Sequence, residues 1–86
     1  MKIVFTDHAK RRLRERGLKE KRVREFVRSA DSIEVSNKNP KRFLVKRRYF
    51  SDTFKKPRLL IVICEHERGV MVVVTVIDTS KIEKYS

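Results

Sequence analysis

Glutamine is missing from this sequence, cysteine occurs once, and glycine and proline occur twice each in 86 residues. A single cysteine, Cys64, cannot form an intramolecular disulfide, so a disulfide-stapled secreted scaffold is excluded. With so little glycine and proline there is no flexible linker, no low-complexity tract and no glycine-rich loop to cradle a nucleotide's phosphates. No stretch approaches the roughly 20 apolar residues that a membrane-spanning helix needs. The start, "MKIVFTDHAK", lacks the apolar run and small-residue cleavage site of a signal peptide. The expected location is the cytoplasm, and the expected organisation is one domain over residues 1–86.

Acidic residues are also scarce. Eleven Asp and Glu face 23 Lys and Arg, for a net charge of +12. Such an excess repels itself unless an anionic partner relieves it, and nucleic acid leads that class of partner. An acidic protein partner would serve as well. A charge-rich thermophilic surface, which the lack of glutamine fits, accounts for many charges but not for their one-sided sign.

Hydrophobic spacing divides the chain in two. Ile3 to Phe5 reads as a short strand. Thr6 is the expected N-cap of a helix from Asp7 to Arg16, with Asp7 at the positive end of its dipole and Gly17 at the stop. Its apolar stripe is thin, Ala9 and Leu13, which places it at the margin of a core. A second helix, about Glu20 to Ala30, gathers Val23, Phe26, Val27 and Ala30 on one face. Leu18 and Val23 can staple its entry around Lys19. After Asp31 the period becomes that of strands: "SIEVS", "KRFLVKRRYF", "RLLIVICEH" and "VMVVVTVID", separated by "NKNP", "SDTFKKP" and "ERG". The last two are apolar at nearly every position and belong in the middle of a sheet, whereas "KRFLVKRRYF" is mixed and expected nearer the periphery. The order β-α-α-β-β-β-β predicts an α+β fold with two N-terminal helices on one face of a mainly antiparallel sheet.

The stretch "HAKRRLRERGL", read as HAxxRxxERG with a following apolar residue, the helix pair and the late "VVVTVID" strand together resemble an uncharacterised family of small bacterial and archaeal proteins in the RelE/ParE toxin superfold. The resemblance covers most of the chain, although Lys19 stands where the family often has a serine or threonine cap. It implies a RelE-like domain. The similar RelE-like and BrnT toxins cut RNA, commonly with basic residues on the sheet and near the C-terminus, and are silenced by antitoxin proteins; ParE-like members act on gyrase. The expected partners are therefore RNA, including RNA presented on a ribosome, and an acidic antitoxin. A tyrosine near the C-terminus joins the active site in several RelE-like toxins, and Tyr85 resembles it by position.

Cleavage by a 2′-hydroxyl on the adjacent phosphate needs a proton acceptor, a proton donor and cations around the transition state, and in principle no metal. His8, which can change protonation near neutral pH, and Arg12 lie four apart on the first helix, with Glu15 placed to orient Arg12 or Arg11. In "KRFLVKRRYF", alternation puts Lys46, Arg48 and Phe50 on one side and Phe43, Val45, Arg47 and Tyr49 on the other, core-facing one. The candidate catalytic set for a metal-independent endoribonuclease is His8, Arg12, Lys46, Arg48 and Tyr85. Arg11, Arg16, Phe50, Phe54, Lys81 and Lys84 are the candidates for holding RNA, by charge and by stacking. The blander reading makes the arginines of the first helix a solvated face, Phe50 a closure of the sheet end and the last residues a solvated tail. A non-catalytic nucleic-acid-binding module and a basic protein that receives an acidic antitoxin are the alternatives. Cys64 and His66 share a strand face but lack the paired spacing of a zinc site, so neither a metal nor another cofactor is expected.

Overall fold

A computed structural model describes residues 2–82. The elements run β1 (Lys2–Phe5), α1 (Asp7–Arg16), α2 (Glu20–Arg28), β2 (Ser32–Val35), β3 (Arg42–Ser51), β4 (Lys56–Glu67) and β5 (Val70–Thr79). This is the α+β order expected from the hydrophobic spacing. α2 ends at Arg28, two residues short of Ala30, which still packs against the core.

Local chemistry sets the helix ends. The Thr6 hydroxyl accepts a hydrogen bond from the Ala9 amide at 3.1 Å and donates to the Val74 carbonyl at 3.0 Å, so one side chain both caps α1 and ties it to β5. At the other end Gly17 adopts φ 66, and the amides of Gly17 and Leu18 close onto the carbonyls of Arg14 and Leu13. That left-handed turn suits glycine and swings the chain into α2. Lys19 caps α2 without any side-chain hydrogen bond, as a residue with no acceptor must.

The five strands form one sheet in the order β1-β5-β4-β3-β2. β1 runs parallel to β5, and the other pairings are antiparallel. The helices cover one face. Ala9 and Leu13 of α1 and Val23, Phe26 and Val27 of α2 pack on Ile3, Phe5, Val45, Leu60, Val62, Cys64, Val73 and Val76. Phe43 and Tyr49 join this cluster, so the alternation in β3 turns Phe43, Val45, Arg47 and Tyr49 toward the helices and Lys46 and Arg48 away from them. Leu59 and Ile61, on the other face, are also buried. β4 and β5 lie inside the sheet as their apolar runs require. β3 is interior as well, flanked by β4 and β2; β2 forms the edge, because the short "SIEV" segment pairs outside it. Among the described residues no helix is long and apolar enough to cross a membrane.

Cys64 is fully buried, and burial pushes its thiol up to about 12. Because the thiolate is the reactive form, a thiol-specific disulfide reagent at neutral pH should label Cys64 only as fast as the protein unfolds, with one thiol per chain released in denaturant. Labelling in buffer at the rate of a free small thiol would contradict this.

Candidate nucleic-acid interface

Two hollows take up five of the sequence-nominated residues, Lys46 and Arg48 in one and Arg16, Phe50 and Phe54 in the other, and their charge differs. The first, about 550 Å³, lies where β2 meets β3 and is lined by Asp31, Ser32, Glu34, Lys46, Arg47, Arg48 and Leu59. Its cations are largely answered from within. Lys46 Nζ lies 3.1 Å from Glu34, with only 12% of its side chain exposed. Arg47 Nη1 lies 3.5 Å from Asp31, and Asp31 also accepts the Arg48 amide at 2.8 Å. Of the three cationic groups only the Arg48 guanidinium makes no ion pair among the described residues.

The second hollow, about 470 Å³, lies at the end of the molecule where the α1–α2 turn meets the β3–β4 turn. Arg16, Gly17, Leu18, Lys19 and Arg22 form its helical side; Tyr49 to Phe54 and Asp78 form the rest. Arg16, Lys19 and Arg22 make no ion pair among the described residues. Phe50 and Phe54 are 57% and 56% exposed, an unusual display of aromatic surface in so small a protein.

A buried network builds one wall of this hollow. Arg58 Nε donates to both carboxylate oxygens of Asp78 at 3.0 and 3.1 Å, and its Nη2 reaches the Asp78 carbonyl at 3.5 Å. The Tyr49 hydroxyl donates to Asp78 Oδ1 at 2.9 Å. The side chains of Arg58 and Asp78 are 11% and 5% exposed. The Arg58 guanidinium lies 4.5 Å from the centre of the Phe54 ring, which holds that phenylalanine at the mouth. Tyr49 also packs on Phe26, centroids 5.3 Å apart, and Arg22 lies 4.9 Å over the Phe26 ring. Desolvation, then the hydrogen bond and the charge of Asp78, push the Tyr49 phenol up to about 12. Tyr49 is therefore a neutral hydrogen-bond donor near pH 7 and no proton acceptor.

The sequence-nominated residues thus separate. Arg16, Phe50 and Phe54 meet in the second hollow, Lys46 and Arg48 in the first. His8 and Arg12 sit on α1, packed over β5 and β1, while Lys46 and Arg48 point from the opposite face of the sheet, so the four do not enclose one phosphate-sized space. Arg12 Nη1 lies 3.5 Å from Glu15 one turn along α1, an exposed contact. Arg11 and Lys81 are exposed away from both hollows. Lys84 and Tyr85 lie outside the described residues. Sequence reasoning overlooked Lys19, Arg22, Arg58 and Asp78. A signal for the last two was present: "RLLIVIC" begins with arginine and "VVVTVID" ends with aspartate, and antiparallel pairing brings those ends together.

Fold and hollow define a small basic α+β protein with a cleft lined by exposed aromatic rings and by cations that are unpaired among the described residues. Residues 5–78 match the family model described as Domain of unknown function (DUF4258), and the chain belongs to that family. No curated protein and no solved structure matches it.

The Arg58–Asp78 pair predicts a defined stability pattern. Asp78→Ala leaves a buried guanidinium uncompensated and should cost about 3 to 5 kcal/mol in denaturant unfolding. Tyr49→Phe removes one hydrogen bond to a charged acceptor and should cost about 1.5 to 3 kcal/mol. Since the folded-state Tyr49 value is raised, its contribution is complete below pH 10 and is lost as pH climbs toward 12. Wild-type stability should fall across that interval more steeply than that of Tyr49→Phe; parallel curves would contradict the assignment.

Proposed function

We propose that this protein is a cytoplasmic RNA-binding module of RelE-like build, holding a single-stranded segment in the hollow between the α1–α2 and β3–β4 turns without cleaving it. The observation that carries the reading is the meeting, around one hollow, of Arg16, Lys19 and Arg22, none of them ion-paired among the described residues, with the exposed rings of Phe50 and Phe54. Phosphates of an unpaired strand need cations that are not already neutralised, and its bases need flat apolar surfaces on which to stack. Arginine adds a planar fork that can hold two phosphate oxygens at once. Duplex nucleic acid suits the site less well, because its bases are already stacked on one another.

Binding is favoured over the endoribonuclease reading by the same geometry. Among the residues lining the hollow there is no histidine, and Tyr49 keeps its proton until about pH 12. His8 stands on a different surface from Lys46 and Arg48. The single cysteine, kept as a buried thiol, fits a reducing compartment.

Fluorescence anisotropy with a short labelled single-stranded RNA tests the proposal. Replacing Arg16, Lys19 and Arg22 with glutamine should weaken binding at least about tenfold and flatten its salt dependence by about two in log–log slope. Phe54→Ala should weaken binding by the loss of one stacked base, about 1 to 3 kcal/mol. Unchanged affinity in the triple variant would refute the site. Cleavage of the RNA in chelator, lost on His8→Ala/Arg48→Ala, would restore the acid/base reading.

A further inference from the structure

We propose that two copies of this chain associate through the free edge of β2, extending the sheet from one copy into the other. Segment 29–37, "SADSIEVSN", contains no lysine or arginine, although the chain carries 23 such residues. It holds Asp31 and Glu34 instead. It is also the edge of the sheet, and Ile33 and Val35 on it are 62% and 67% exposed. Proteins normally guard such an edge with lysine, proline or a covering segment, and this one carries none of the cations abundant elsewhere. The opposite edge, β1, differs on each count: Ile3 and Phe5 are buried and Lys2 is exposed.

The pairing geometry is self-complementary. Ile33 opposes Val45 and Val35 opposes Phe43, so both side chains lie on the helix-bearing face beyond the last covered position. The Ser36 amide donates to the Arg42 carbonyl at 2.9 Å, which aims the backbone groups of the even-numbered residues of β2 at β3 and those of Ile33 and Val35 outward. An antiparallel two-fold pairing that sets Ile33 against Val35 of the second copy, and Val35 against its Ile33, uses just these outward groups. It also stacks two apolar cross-strand pairs on one face. On the other face Glu34 meets its own copy, each held by its Lys46 at 3.1 Å.

Charge selects the occupant. With +12 on each copy, two chains repel everywhere except where cations are lacking, and β2 is that place. An acidic partner, which the rest of the surface would draw, meets Asp31 and Glu34 here and is disfavoured. Space permits the arrangement: α2 packs on β3, and the two β3 strands would stand three strand spacings apart, about 14 Å, farther than the 8 to 10 Å at which helices touch, leaving the α2 helices clear of each other. The second hollow begins at Tyr49, beyond the Phe43–Lys46 segment that pairs with β2, and stays open. So short an edge buries little area, at the low end of interface sizes below about 1,200 Å², and a weak, concentration-dependent dimer is expected.

Sedimentation equilibrium across the micromolar range should show mass rising from 10.3 kDa toward twice that value. Ile33→Lys/Val35→Lys should weaken association more than about tenfold. Wild-type hydrogen exchange supplies a readout independent of variant folding: the amides of Ile33 and Val35 gain protection as concentration rises, while that of Glu34 is protected throughout. A chain that stays monomeric, a dimer that survives the lysine variant, or concentration-dependent protection elsewhere would overturn the proposal.

Discussion

Burial of β4 on both faces is the constraint from which the rest of the molecule follows. Leu59, Leu60, Ile61 and Val62 are each almost fully buried, although only one side of the sheet carries helices. A domain this small hides a modest share of its unfolded surface, so a strand that is apolar on both sides supplies a disproportionate part of the cohesion opposing a charge of +12. β3 and β5 are fixed against it along nearly their whole lengths, and β1 joins through β5. The helices then need only thin apolar stripes, which is why α1 can present so many arginines and still hold its place through Ala9 and Leu13. Arg58 and Asp78 close one end of this assembly, where an apolar strand would otherwise meet water.

Much of this was legible in the sequence because periodicity reports burial directly. A change from a repeat near 3.6 to one of 2 after Asp31, the Thr6 and Gly17 caps and the unbroken apolar runs of β4 and β5 place the elements to within a few residues. The alternation of Phe43, Val45, Arg47 and Tyr49 likewise foretold their face. Strand neighbours were less accessible. "KRFLVKRRYF" looks peripheral from its charge, yet it is interior, because the long stems of Lys46 and Arg47 cover the sheet while their heads reach Glu34 and Asp31. Composition counts the head and misses the stem.

The candidate site was half legible for a related reason. Residue type announces which side chains can hold RNA, and Arg16, Phe50 and Phe54 do gather. Residue type does not announce which cations are already neutralised. Lys46 answers Glu34 across a strand pair and Arg58 answers Asp78 across another, separations of 12 and 20 residues that no local pattern encodes. His8 and Arg12 were grouped with Lys46 and Arg48 by chemistry, but α1 packs over β5 and β1 on one face while those β3 side chains leave from the other.

Pairing, rather than the number of cations, separates the two hollows as partners for an anion. An incoming phosphate at the β2–β3 hollow would face Glu34 and Asp31 as well as the cations they hold, and gaining Lys46 would mean breaking a contact of 3.1 Å. At the other hollow Asp78 is already engaged by Arg58 and Tyr49, and Arg16, Lys19 and Arg22, with no ion pair among the described residues, outnumber the one exposed carboxylate, Asp52. In the proposed binding the buried ion pair would act without touching a ligand: it neutralises a carboxylate that would repel an anion, and its Arg58 lies against the Phe54 ring proposed to stack on a base. The wall that closes the core is therefore also the wall that leaves the hollow's remaining charge positive.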